Sequence, residues 1–580
     1  MRKLSYTSLL LLLSLPALFA QGTLVPIGNP AYYTIKRLDI LSDHPMDIHT
    51  SLHYYSRGDV VRYAMGLDTS NYNFTKLDRA DLNYLFLDNN EWLFQPDQST
   101  ALAEKNQANL PADQESKYWQ ASKRPFLKHF YRTPANLFEV NHPDFTFRVN
   151  PMLNLKYGNQ VNEETPYFIN QRGVEVRGSF DERIHFYSSI IESQANFPDY
   201  IQRYIGEYNS LPRNGFYKRG FSSDLLNFNR GYDFLNSQAY LAFNLTDHVG
   251  VQFGYGQNFI GQGYRSMLLS NFANNQLYLK LNWRVWKLHF QNIFAELKSQ
   301  SAQSLGGSQL VPKKYMAAHY LSFDVTSNLE IGLYEAVIFN RQNQFEFQYL
   351  NPVILYRTIE QSVGSPDNVL IGINAKWNLW QRFQLYGQFI LDEFKFDELI
   401  INQDGWWGNK YGLQLGLNYP NVGGIDHLDL QLEYNTARPY TYMHFDSLSN
   451  YTHFGAPLAH PLGANFKEYI ALLTYRPHPK WLMESRLIVM DYGADIDGDN
   501  YGREWNASYS SRVQDYGNET LQGTPVRNVL FGLDISYSLR HNVFLDFHYF
   551  NRSSNLANNF DDQYIATGVR INMSNYRADF

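Results

Sequence analysis

The chain has 580 residues, a formal net charge of −7 and no cysteine, so disulfides, thiol catalysis and thiolate metal sites are excluded. The charge is mild and diffuse, which gives no footprint for nucleic acid. Tyr 44, Phe 40 and Trp 10 accompany a negative mean hydropathy, and no apolar run beyond residue 20 reaches the roughly 18 residues of a helical membrane span.

Met1-Arg2-Lys3, the apolar stretch Leu9 to Leu13 and Ala17-Leu18-Phe19-Ala20 have the build of a secretory signal peptide, with cleavage after Ala20. Residues 1–20 are therefore expected to direct export. The next segment, 21–138, reads as a small, mostly helical periplasmic or plug element. Ser56 is placed to cap a helix carrying Val60, Val61, Ala64 and Leu67, and Asp78 to cap another carrying Leu82, Leu85 and Phe86. Gln95 to Ser116 is polar and loop-like.

From 139 to 580 the pattern changes to a period of two. Val249, Val251, Phe253 and Tyr255 alternate with small or polar residues, as do Leu277, Leu279, Leu281 and Trp283. Leu321, Phe323 and Val325 lead through a short turn into Leu329, Ile331 and Leu333. Similar hairpins are predicted for 371–377 with 383–391, 411–419 with 428–434, and 529–539 with 543–549. Rows of about ten residues, with rings at their ends such as Trp377, Tyr411, Tyr419, Tyr434 and Tyr549, match strands that cross a bilayer at a tilt. The expectation is an all-β transmembrane outer-membrane β-barrel of roughly 16 to 20 antiparallel strands. The last strand is read as running through YIATGVRINMSNYRADF to a terminal Phe580. Lys280, Asn282, Arg284, Gln252, Gln384 and Gln388 fall on the lumenal face.

Candidates for chemistry are few. Asp495, Asp497 and Asp499 alternate as in calcium loops, but the glycine is displaced and Asn506 stands where a bidentate Glu belongs, which favours a solvated acidic hairpin loop over a cation site. His444, His453, His460 and His478 lack a spacing that converges on zinc. Ser266 and Ser270 have no evident His and acid partners, and no nucleophile elbow is present. No catalytic residue and no cofactor is assigned. Trp406, Trp407, Tyr440 and Tyr442 admit two roles: rings that stack on sugar faces, or girdle residues at the membrane interface.

The segment GYGQNFIGQGYRSMLLSNFANNQLYLKLNWRVWKLHFQNIFAEL resembles the RemB gliding-motility family of Bacteroidetes and, more distantly, the Wzi capsule-assembly outer-membrane proteins. The run FLDNNEW from Phe86, RPFLKHFYRTPANLFEV from Arg124, PDFTFRVNPMLNL from Pro143 and QRGVEVRGSFDERIHFYS from Gln171 share the likeness, which covers most of the chain after residue 20. The resemblance implies a non-enzymatic barrel with a periplasmic helical element, in contact with outer-membrane lipid, that binds or retains surface polysaccharide and takes part in gliding. A porin for small solutes and an accessory subunit of an export machine are the alternatives. Gly261, Gly263 and Arg265 are the best-matched residues. The glycines suit a tight turn or a close backbone approach, and Arg265 suits either an acid in the lumen or a glycan.

Overall fold

The computed structural model describes residues 22–42, 48–67, 74–93, 127, 129–142, 144–161, 164–181, 183–224, 228–301, 303–306, 309–341, 344–364, 366–495, 498–556 and 560–580. Residues 1–20, read above as a signal peptide, and the polar stretch Gln95 to Ser116 lie outside them.

Alternating residues put a polar side chain and an apolar one on opposite faces of every strand, and such a sheet is stable in a membrane only when it closes on itself. Twenty described strands share one antiparallel sheet; two, Phe138–His142 and Lys218–Ser223, are short rim pieces, and the other eighteen form a ring. The ring shuts where the first of the eighteen, Phe145–Gln160, pairs with the last, Phe560–Ile571, from Leu153 opposite Ile571 to Gln160 opposite Tyr564. The hairpins predicted from alternation form: Leu321 faces Leu333, Leu385 faces Trp377, Tyr419 faces Leu430 and Leu545 faces Tyr537.

The outer wall carries Phe253, Ile371, Ile373, Leu415, Leu487 and Ile565, all exposed, whereas Gln252, Lys280, Asn282, Gln384 and Gln388 are buried on the lumenal side. One end of the ring has tight turns, such as those joining Val285 to Leu288 and Arg540 to Val543. Trp286, Trp377, Trp380 and Trp481 stand exposed around it as an aromatic girdle. The other end bears long connections, including 257–275, 340–367, 438–465 and 495–523. Short turns are periplasmic and long loops extracellular in such barrels.

Helices α1 (Pro30–Leu41), α2 (Arg57–Gly66) and α3 (Lys76–Asp88) pack around Val25, Ile35, Val60 and Leu85, none of which is accessible. They close the tight-turn end. Alternation gave no sign of α1, which is capped by Asn29 with Pro30 at its first position. Ser56 stands at the N-cap of α2, though its side chain makes no capping bond. The cap of α3 is Thr75 rather than Asp78. Asp78 is the N3 partner in a capping box, its carboxylate accepting from Thr75 N while Thr75 Oγ1 accepts from Asp78 N.

The last strand departs from expectation. It ends at Ile571, and Asn572, at φ +51°, turns residues 572–580 back into the lumen. Odd-numbered residues of this strand face lipid, so continuing it in phase would aim Asn575, Arg577 and Asp579 outward. Inside, Arg577 pairs with Asp534 at 2.9 Å and with Glu484, and Asp579 with Arg486 at 3.1 Å. Phe580 is buried against Tyr204, Phe272 and Tyr200, the first of these ring centroids at 4.8 Å.

Candidate functional site

The extracellular loops and the lumen beneath them form one stack. Its lowest floor is the helical element, bound to the wall by ion pairs, Asp39 to Lys376 at 3.1 Å, Glu91 to Arg177 at 3.0 Å and Arg37 to Asp429, and by a hydrogen bond between Asp88 and His541 at 3.1 Å. Burial works to raise Glu91, but the guanidiniums of Arg177 and Arg148 prevail and hold it at about 2. For Asp88, burial is likewise overcome by Arg57 and His541, leaving it well below the usual carboxylate range.

Above this floor the loop 257–275 crosses the barrel. Its backbone is held by strand side chains from the far wall: Tyr264 N and Arg265 N donate to Glu433 at 2.7 and 3.1 Å, Met267 N donates to Gln388 Oε1 at 2.7 Å, and Gln414 Nε2 donates to Arg265 O at 3.0 Å. Below, Gly261 N donates to Ser51 O at 2.8 Å; above, the hydroxyls of Tyr442 and Tyr451 donate to Met267 O and Leu268 O at 2.8 and 2.9 Å. A side chain at Gly261, at φ +134°, would meet Gln388 Nε2 at 2.3 Å, and one at Gly263 would meet Glu433 Oε2 at 2.6 Å. Close backbone approach thus accounts for both glycines. Arg265 is buried and pairs with Glu468 at 3.0 Å, while also donating to Asp579 O of the C-terminal segment. His460 Nε2 meets the same carboxylate at 2.7 Å.

The top layer contains the predicted aromatic residues. Tyr440 and Tyr442 adopt φ +64° and +74° and are buried, not exposed; Tyr440 donates its hydroxyl to Asn500 O at 2.9 Å. Trp406 is also buried, with Lys395 Nζ 4.4 Å above its ring. Trp407 is half-buried. It contacts Tyr509, at 4.5 Å between centroids, and the guanidinium of Arg512, 4.2 Å from its ring, and its backbone N donates to Asp515 O at 2.9 Å. Arg438 fastens the surrounding loops, donating to Asn409 O at 2.8 Å and to Asn518 O at 3.0 Å. Exposed Phe445 and Tyr516 extend the aromatic surface. His444 rests 6.1 Å from the Tyr509 ring, held at about 4 by burial and then Lys410, and is neutral at neutral pH. Tyr509 and Arg512 carry no periodic or motif signal in the polar segment around them, and only the fold brings them to Trp407.

Other candidate residues have local partners. Asp495 accepts Tyr501 N and Glu504 N at 2.7 and 2.8 Å, closing its own loop; Asp499 is exposed, and Asp497 lies outside the described residues. His453 bridges Lys298 N and Asn275 O, His478 accepts Lys480 N, and Ser266 and Ser270 bind the backbone at Ile260 O and Ala459 O. The histidines do not converge.

A closed eighteen-stranded barrel, girdled with Trp and filled along its axis, defines an outer-membrane protein with a plugged lumen. The sequence profile of the capsule assembly protein Wzi family matches residues 150–522, more than half of the chain. The chain belongs to the Wzi family of capsule-assembly proteins. Among solved structures it is similar to Wzi of Escherichia coli, described as an outer-membrane protein involved in group 1 capsule assembly and a carbohydrate-binding β-barrel. The likeness has a TM-score of 0.56 at 14% identity and covers 96% of this chain and 100% of that one. OprD of Pseudomonas aeruginosa (TM-score 0.40, 10% identity, 73% of this chain and 94% of that chain) and OccAB4 of Acinetobacter baumannii (0.38, 9%, 74% and 98%) are more distant. No curated protein sequence matches.

Proposed function

We propose that this barrel binds polysaccharide at its extracellular face and retains it on the cell surface, by binding and not by turnover. The observation that carries the reading is Trp407: a half-exposed indole held against Tyr509 and Arg512 on loops fastened to one another, above a filled lumen. The C–H face of a pyranose stacks on such a ring, while the N–H groups of Arg512 left over from its bonds to Asp515 and Tyr509 O, and the neighbouring hydroxyl, bind sugar oxygens. Tyr440, Tyr442 and Arg265 then act as the platform beneath, because their polar atoms are spent on holding loops in place, and buried Trp406 packs against Trp407. The relative's carbohydrate binding and the family's role in capsule assembly support the same reading. The finer assignment, gliding of a Bacteroidetes-type cell through contact with surface glycan, rests on the RemB-like segments.

Purified protein titrated with the cell's own surface polysaccharide tests this. Trp407→Ala and Tyr509→Ala are each expected to weaken binding by about tenfold or more with unchanged strand content. Undiminished binding by both variants would overturn the Trp407 assignment. Deleting the gene is expected to release polysaccharide into the medium and to impair colony spreading; unchanged retention removes the retention role, and unchanged spreading removes gliding. A stoichiometric protein partner in native extracts, with polysaccharide binding lost, would favour the export-subunit alternative.

A further inference from the structure

The register of the sheet gathers a set of side chains at the periplasmic mouth that the polysaccharide reading does not use. Asp324 faces Glu330 across one strand pair, Glu330 faces Lys376 across the next, and Ser322 faces His289 on the other side. Into this row the helical element inserts His49. The nearest ligand atoms of His49, Asp324 and Glu330 all lie within 4.8 Å of one another. They line a cleft of about 520 Å³ between the plug and the wall, so an ion from the periplasm has a path to them.

Hydrogen bonding fixes which nitrogen of His49 turns toward the acids. Ser322 Oγ donates its proton to Glu330 Oε1 at 2.8 Å, so His49 Nδ1, 2.6 Å from Ser322 Oγ, must be the donor to that hydroxyl. Nε2 is thereby directed at Asp324 Oδ2, 3.5 Å away. That separation is close to the edge of a tetrahedron whose bonds to the metal are about 2.0–2.1 Å long, roughly 3.4 Å. A second nitrogen source stands beside it. His289 is 3% exposed, neither of its ring nitrogens has a hydrogen-bond partner, and its ring meets that of His49 edge-on at 5.4 Å. Glu330 Oε2 is buried without a hydrogen bond as well, with Lys376 Nζ at 3.4 Å. Lys376 also serves Asp39 at 3.1 Å, so two carboxylates, Asp39 and Glu330, share one ammonium.

We propose that His49, Asp324 and Glu330 bind a divalent transition-metal ion of the zinc class, with His289 as the fourth donor, and that the ion pins the helical element to the barrel wall. Imidazole with carboxylates suits zinc over calcium or magnesium, whose sites are built from oxygen alone. Ser322 is a positioning residue: it orients the imidazole by accepting from Nδ1. Asp324, whose side chain is 32% exposed, has the room to rotate inward as the ion enters.

The test uses the full folded protein in detergent, with any affinity tag removed and metal stripped by a chelator. Zn²⁺ is added, unbound ion is removed, and bound metal is measured; Co²⁺ is used in parallel to read coordination from its absorption spectrum. The expected result is one tightly held ion per chain with a tetrahedral cobalt spectrum. Both are lost in His49→Gln and Asp324→Asn, and affinity is about tenfold weaker in Ser322→Ala. Zn²⁺ should also raise the melting temperature of the parent but not of the two ligand variants. Each variant is first checked for the heat-modifiable gel mobility of a closed barrel; should His49→Gln fail it, Asp324→Asn, on the more exposed side chain, carries the test. No retained ion in the parent, or binding that persists undiminished in the folded ligand variants, overturns the proposal.

Discussion

At the scale of the residue, Arg265 shows how a local motif acquires its role from distant partners. Its guanidinium, Glu468 and His460 form a buried triad on which the crossing loop depends. Removing one member of such a set leaves a charge without its counter-ion, whereas replacing both by apolar groups costs less. Glu468→Leu is therefore expected to lower stability by about 3–5 kcal/mol, and the double variant Arg265→Met with Glu468→Leu by less than the single one, both read from urea unfolding of the purified barrel. Equal losses would show that packing, and not charge, governs the site. The glycines were legible as close-approach residues because their meaning is steric and local. The pairing of Arg265 was legible only as a type, an acid in the lumen, because Glu468 is 203 residues away in the chain.

At the scale of the element, the helical plug is held by carboxylates whose protonation would release it. Glu91 and Asp88 are depressed below their ordinary values in the folded protein. A depressed carboxylate contributes stability above its unfolded pKa, about 4.3 for Glu and 3.9 for Asp, and this is lost as the pH falls through the folded value. Docking of the plug should accordingly hold at pH 5 and above and weaken progressively from roughly pH 4 toward 2, measured as protease access to the helices while the strand signal persists. Glu91→Gln should shift the midpoint of that release to higher pH; an unchanged midpoint would mean that Glu91 does not carry docking. Helix α3 was legible in outline from its apolar spacing, and the capping box moved its start only to Thr75. Helix α1 was not, because its buried side includes Thr34 and Arg37, and Arg37 is satisfied by Asp429 from the wall instead of by apolar contact.

For the whole molecule, three separate pieces obstruct the axis: the plug, the loop 257–275 and the residues after Ile571. The full protein in planar bilayers is expected to show no steady unitary conductance; robust single-channel steps would sink the filled-lumen reading and restore the porin alternative. Truncation after Met573 removes Phe580 from its aromatic nest and Arg577 and Asp579 from their partners. It should lower thermal stability and leave the barrel closed to ions, since the plug and the crossing loop remain.

What the sequence determined by itself was the kind of wall: a period of two, repeated in rows of about ten, dictates strands with one face for lipid and one for the lumen, and the turn residues between them dictate hairpins. These are local rules, readable within a dozen residues. The contents of the wall were decided only by tertiary structure. Alternation says that Gln388, Gln414, Glu433 and Glu468 point inward, but not what they hold, and it wrongly carried the last strand to Phe580 because phase alone does not register the charges at Arg577 and Asp579. Burying a polar side chain requires a partner. In a closed barrel those partners come from across the ring and from loops hundreds of residues away, so the lumen and its extracellular face take shape only when the ring shuts.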